Sequence, residues 1–385
     1  MNILVVCEVF YPRLAGGQIV LWNLLNALDL RGHKIYVVTG RIPDTVSEEK
    51  INNIHIFRPY EGVIPETMQK GFSNVIAIFK RFLLMIKLYS YLDNFVKERN
   101  IDIIYNMGPA TLLPVSSTSS KNNIPSINSV HSLIGKKWFE ITNPIIATFN
   151  YFGEIILIRL GRFNVIHCPS EIVSNEIMKH TSSEIVVIPN PIDLDTIEQV
   201  KKDESSKNIK EELELKEEKL LVYVGSIIKI KNIPELIKTL SKLNTKFKLL
   251  IVGDGPERQS IEMLVKELKM EDRIVFCGQK PYKETLNIIK SSDILILPSK
   301  SEILPNVILE ALALNKAVIA TKVGDIPNIK SENLFLVDKI NEINDLIEKG
   351  INTKEDNRII KNYSLDIITK RFEDIFLILS KSTKD

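Results

Sequence analysis

The stretch from Ser292 to Gly324, SDILILPSKSEILPNVILEALALNKAVIATKVG, constrains the fold most. Ile294-Leu295-Ile296-Leu297 reads as a buried strand, stopped by Pro298 and Ser299. A short polar loop, 299–302, follows. From near Pro305 a helix carries an apolar face through Val307, Ile308, Ala311, Leu312 and Leu314, and Ala317–Ala320 is a second apolar strand. Strand, loop, helix, strand is a βαβ element, whose ligands bind at strand carboxyl ends against helix N-termini. Two acids frame that opening: Glu302 in the loop and Glu310 on the first turns of the helix, seven residues between them. A single carboxylate there could serve only as a helix-dipole partner worth about 0.3–1 kcal/mol. A pair can grip sugar hydroxyls through charge-assisted hydrogen bonds.

At 385 residues the chain is too long for one typical core and suits two domains. Net charge is +2, with 44% hydrophobic and 25% charged residues, so no overall field points to nucleic acid. Cys7, Cys168 and Cys277 are far apart, lack metal spacing and read as reduced core or near-core thiols. Met1-Asn2 leads straight into an apolar strand, Ile3–Cys7, rather than a signal core. The longest apolar runs, 72–95 and 145–160, are broken by Lys80, Arg81, Lys87, Glu154 and Arg159, so neither reaches a membrane span.

Strands and helices alternate along both halves, with β-rich starts at Asn2 and Leu220. The loop after the first strand ends in Gly16-Gly17, which allows close backbone approach and presents amides at a helix start. It is not a GxGxxG fingerprint. Residues 71–99 form a helix both apolar and basic, and Lys136–Phe139 with 145–162 raises the same question of core or membrane surface. Strand 124–130 ends in His131. Residues 194–218 are charge-rich and read as linker and surface helix. Leu220–Gly225 leads into Ser226-Ile227-Ile228-Lys229-Ile230-Lys231, and Arg273–Phe276 into Cys277-Gly278-Gln279-Lys280-Pro281.

The acid pair with Pro305-Asn306 and Glu310-Ala311 resembles the donor-site motif of retaining glycosyltransferases of family 4, with the GT-B fold. The ordered set of motifs extends the resemblance over almost the whole chain. It implies an α/β protein of two Rossmann-like doubly wound domains facing a central cleft: 1–195 on the acceptor side, a linker 196–218, and a donor domain 219–365, with a helix of about 366–385 packing back on the first. It implies transfer of a sugar from a nucleotide-sugar, a UDP-sugar favoured, to a hydroxyl of a glycan, lipid-linked or small-molecule acceptor, with retention, no metal and no cofactor. Catalytic roles fall on His131, Glu302 and Lys231. Donor contacts fall on Gly16, Gly17, Gly225, Ser226, Lys229, Lys231, Lys280, Ile303, Leu304, Pro305, Asn306 and Glu310. His33 is expected to be structural. Ile303 stands where the family usually has glycine, Ser226 where it has arginine, Pro191 where it has glycine, and Asp325 and Asn328 also depart. A cytoplasmic protein is expected, open to peripheral membrane contact through 72–99 and 136–163. Rival readings are nucleotide-sugar epimerisation or hydrolysis, and a catalytically weak donor-binding subunit.

Overall fold

The computed structural model describes residues 1–12, 17–61, 72–131, 144–203, 209–356 and 358–382. Gly16, the run 136–139 and the side chains of 72–82 lie outside the described residues. The chain divides into two units: Met1–Pro189 with Leu365–Asp385, and Asn190–Ser364.

The first unit runs β1 (Asn2–Cys7), α1 (Gly17–Leu30), β2 (Lys34–Arg41), β3 (Glu48–Ile51), β4 (Ile54–Glu61), α2 (Phe72–Arg99), β5 (Ile103–Met107), α3 (Leu112–Asn122), β6 (Ser126–Ser129), α4 (Pro144–Leu160), β7 (Val165–Cys168), α5 (Glu171–Ile177) and β8 (Glu184–Val187). The helix Leu365–Ser382 completes it. Among the described residues the strands form one sheet, β3-β4-β2-β1-β5-β6-β7-β8, parallel except for the β3–β4 pair. A parallel sheet is covered on both faces, so its strands are apolar throughout. Strand alternation then sorts them. Ile3, Val5 and Cys7 pack with Leu21, Leu25 and Leu28 of α1 and with Phe372 and Phe376 of the last helix. Leu4 and Val6 point the other way, toward Leu88, Leu92 and Phe95 of α2 and Leu112 and Val115 of α3. Each such side chain contributes about 1.5–3 kcal/mol by leaving water.

Residues 48–51, polar enough to pass for loop, are instead the antiparallel edge strand β3. Backbone pairing with β4 does not need apolar side chains, and Glu49 pairs with the buried guanidinium of Arg58. Asn52, at φ 55, makes the tight turn. His33 is buried, and its Nε2 lies 2.8 Å from Glu373 Oε1, while Arg31 Nη1 donates to Glu373 Oε2 at 2.8 Å. These bonds tie the end of α1 to the last helix.

The second unit runs α6 (Leu194–Lys202), α7 (Ile209–Glu212), β9 (Lys219–Val224), α8 (Ile233–Leu240), β10 (Phe247–Val252), α9 (Arg258–Glu267), β11 (Ile274–Gly278), α10 (Tyr282–Ser291), β12 (Ile294–Leu297), α11 (Asn306–Ala313), β13 (Ala317–Thr321), β14 (Leu334–Val337), α12 (Glu342–Lys349) and α13 (Arg358–Tyr363). Its sheet order is β11-β10-β9-β12-β13-β14, all parallel. The division between units falls at 189/190, earlier than the expected boundary at 195. The described part of the expected linker belongs to this second core. Ile197 and Val200 of α6 are fully buried in it, because an amphipathic helix hides its apolar stripe whatever the charge of its outer face.

Candidate active site

The order of the second sheet reverses between β9 and β12. At such a reversal the loops leaving the two strands part and open a crevice at their carboxyl ends. Lys231 comes from the loop after β9 and Glu302 from the loop after β12. Lys231 Nζ lies 2.6 Å from Glu302 Oε1, with side chains 19% and 9% exposed. The same oxygen accepts from Ser299 Oγ at 2.6 Å, and Thr321 Oγ1 donates to the Ser299 carbonyl at 2.5 Å. The Lys300 amide donates to the Ile230 carbonyl at 2.8 Å, joining the two loops through backbone as well. Ser299 and Thr321 escaped the sequence reading, since a serine at a strand end looks like any loop serine.

Two glycines set this geometry. Gly324, at φ +59, sits so that a Cβ would lie 2.1 Å from the Glu302 carbonyl oxygen. Gly253, at φ +135, would place one 2.0 Å from the Gly225 carbonyl oxygen. Ile303 does not adopt a positive φ, so its branched side chain suits the turn, and it packs on the core while its carbonyl accepts from the Asp325 amide. The glycine that this loop needs is at 324. Asn328 is exposed and donates to Asp325 Oδ1 at 3.1 Å.

Glu310 occupies a different setting on α11. Burial pushes its carboxyl up to about 7, against a hydrogen bond from the Tyr282 hydroxyl and with the Asp193 charge adding to the rise. Tyr282 opens α10 directly after the Lys280 turn, a position the sequence did not distinguish from a surface tyrosine. Pro305 precedes α11 in an extended conformation, and no side chain caps the helix, so the first-turn amides at Asn306 and Val307 have no such acceptor. Leu304 is buried beneath this turn. Gly225 lies at the end of β9, where its amide donates to the Val252 carbonyl. Ser226 and Lys229 are exposed in the same loop, and the Ser226 carbonyl accepts from Tyr223 Oη at 2.9 Å. Lys280 follows β11 and pairs with Glu284 at 2.6 Å.

In the first unit the corresponding reversal falls between β1 and β5. His131 follows the carboxyl end of the neighbouring β6, and a Cβ on Gly17 would lie 3.9 Å from its Nδ1. Surrounding protein lowers its imidazole to about 4 by desolvation, so the ring is neutral near pH 7. Its neighbour His167 is buried with ring centroids 5.9 Å apart. His167 Nε2 lies 2.8 Å from the Ile188 carbonyl, which can only accept, so Nε2 carries the proton and Nδ1 accepts from Ser129 Oγ at 2.8 Å.

Two family models match in succession, Glycosyltransferase Family 4 over residues 14–196 and Glycosyl transferases group 1 over 204–365. The chain belongs to glycosyltransferase family 4. Family 4 relatives include N-acetyl-alpha-D-glucosaminyl L-malate synthase of Bacillus anthracis, 25% identical over 83% of this chain and 79% of that protein. Another is the phosphatidylinositol N-acetylglucosaminyltransferase GPI3 subunit of Saccharomyces cerevisiae, 20% identical over 97% of this chain and 78% of that one. Among solved structures, Anabaena HepE in complex with UDP superposes with a TM-score of 0.71 at 16% identity, over 98% of this chain and all of that one. The fold is GT-B, and the activity is that of a glycosyltransferase. No described helix is long and apolar enough to cross a membrane.

Proposed function

We propose that this family 4 enzyme transfers a sugar from a UDP-sugar to an acceptor hydroxyl with retention of configuration and without a metal ion. The observation that carries the reading is the Lys231–Glu302 pair at the β9/β12 reversal, beside the uncapped start of α11. Lys231 and the α11 amides would take the diphosphate, and Glu302 would hold Lys231 in place and meet the sugar. Glu310 would accept from the ribose hydroxyls. His131, neutral, would hydrogen-bond the sugar or acceptor rather than pair with an anion. The acceptor oxygen attacks C1 as the C1–O bond to the diphosphate breaks. Its proton passes to a diphosphate oxygen, and the developing negative charge falls on the cation and amides. UDP is the nucleotide preferred because HepE, of like fold, binds it. Lys231 supplies positive charge where a metal would otherwise be needed. EDTA-treated enzyme should therefore keep its rate and give product with the donor's anomeric configuration; a rate restored only by divalent ions would sink the metal-free part.

A thermal-shift screen against UDP-, GDP- and ADP-sugars tests the donor. A shift with UDP-sugars, lost in Glu310→Ala, is expected; no shift with any would defeat the reading. The screen should also depend on pH. Glu310 titrates near 7 when folded against an ordinary 4.5, so the folded protein binds the proton more tightly between those values. Free protein thus loses stability as pH rises through that window, by about 3 kcal/mol in all. Ribose hydroxyls favour the carboxylate, so nucleotide affinity should rise about tenfold per unit up to pH 7 and then level off. In Glu310→Gln the slope should vanish.

We infer also that the first unit meets a lipid surface, as its exposed Leu83, Ile86 and Tyr89 on α2 and Phe152, Ile156 and Leu160 on α4 suggest. The similar GPI3 subunit, named for phosphatidylinositol, makes a lipid-borne acceptor the favoured class.

A further inference from the structure

A cavity of about 660 Å³ lies at the amino ends of β7 and β8, whereas His131 follows the carboxyl end of the neighbouring β6. Arg159, Arg162, Lys179 and His180 line it, with the hydroxyls of Thr181 and Ser183 and a single acid, Glu184. Among the described residues, none of the three full cations has an ion-pair partner. His180 Nδ1 is buried with no hydrogen-bond partner. The wall is fixed rather than loose. Ser116 Oγ accepts from the Arg162 amide at 2.7 Å and donates to the Arg162 carbonyl at 3.2 Å, while Asn164 Oδ1 accepts from the Ser126 amide at 2.9 Å. Three cations that no described acid pairs with, together with hydroxyl donors around a pocket of this size, suit a phosphate group, which takes many donors at once.

The rim says where that phosphate comes from. Phe152, Ile156 and Leu160 recur every fourth residue on α4 at 53%, 50% and 59% exposure, and Arg159 lies seven residues after Phe152 on the same stripe. Met178, 59% exposed, adjoins Lys179. A site for a free phosphate ester needs no such apolar border. A helix with an apolar outer stripe ending in cations is what a headgroup layer accommodates, stripe among the upper acyl carbons and cations at the phosphates.

We propose that this cavity binds the phosphate of an anionic phospholipid headgroup. The proposal gives the lipid contact inferred above a defined pocket, and it rests on that reading; it is independent of the donor site. Full-length protein would be sedimented with phosphatidylcholine vesicles, with and without phosphatidylglycerol. Binding is expected only with phosphatidylglycerol and is expected to fall with added salt. Arg162→Gln/Lys179→Gln should weaken it about thirty-fold, the effect of two cations near an anionic surface. Phe152→Ser/Ile156→Ser should weaken it as well. Both variants should keep the wild-type thermal shift with nucleotide-sugar, which reports folding and the donor site. If wild type binds the anionic vesicles and the cation variant binds them equally, the pocket assignment fails while the lipid reading survives. If wild type binds no vesicle, both fail. Inorganic phosphate stabilising the wild type but not the cation variant, without vesicle binding, would make this a soluble-anion site and overturn the lipid assignment.

Discussion

Lys231→Ala is expected to slow sugar transfer by about 10²–10³-fold, the usual effect of removing one donor that faces a developing negative charge. Nucleotide affinity should change far less, because Glu310 and the α11 amides remain. The substitution also leaves Glu302 a carboxylate 9% exposed with Ser299 as its remaining named donor, which costs about 1–3 kcal/mol of stability. These two effects can be separated. Lys231→Ala/Glu302→Gln removes the stranded charge and should recover most of the stability lost, measured by urea unfolding; since Glu302 itself meets the sugar, its turnover is compared with that of Glu302→Gln alone and should stay well below it. Wild-type turnover in Lys231→Ala would remove the lysine from the mechanism. Turnover rescued together with stability would mean that it only supports the loop.

Gly324→Ala should be among the most damaging single-methyl changes available. The added carbon would start 2.1 Å from the Glu302 carbonyl oxygen and 2.8 Å from that of Ile303, both backbone atoms that cannot swing aside. A left-handed backbone with a side chain adds about 1 kcal/mol, and forced overpacking about 1–3 kcal/mol more. The expected loss is therefore about 3 kcal/mol in denaturant unfolding, with displacement of the Glu302 loop and loss of activity even in molecules that stay folded. An alanine variant of unchanged stability would show that the loop relaxes freely and that Gly324 does not hold the acid in place.

Much of this architecture was legible because apolar runs are the signal a parallel sheet leaves. Ile294–Leu297 and Ile3–Val6 have no exposed face, so their strands could be read directly. Glu48–Ile51 could not, since its strand is held by backbone bonds to β4 and by Glu49 on Arg58, a partner nine residues away. The charge-rich run after Asp193 misled for the opposite reason: composition averages over a helix whose buried side is only Ile197 and Val200. Within the site, spacing singled out Glu302 and Glu310 together, but not their separate settings. Only the fold brings Lys231 to Glu302 across 71 residues and Tyr282 to Glu310. The substitution of Ile303 for a usual glycine looked significant in the sequence. In the structure, backbone freedom is needed at Gly324, across the loop, where no local pattern pointed.

The first unit is assembled from two separated pieces of chain, with Phe372 and Phe376 of the closing helix set into the core around Tyr105 and Ile3. During synthesis from the amino end, residues 1–189 emerge with that core open on one side, and it stays open while 190–364 are made. The second unit is one contiguous segment and can finish folding as soon as it clears the ribosome. Arg31 and His33 wait for Glu373, made 342 and 340 residues after them. The unit that begins first is completed only after the second, so a chain halted before Leu365 would carry a finished second unit joined to a first unit whose core is still open, and that open core is what a protease would find.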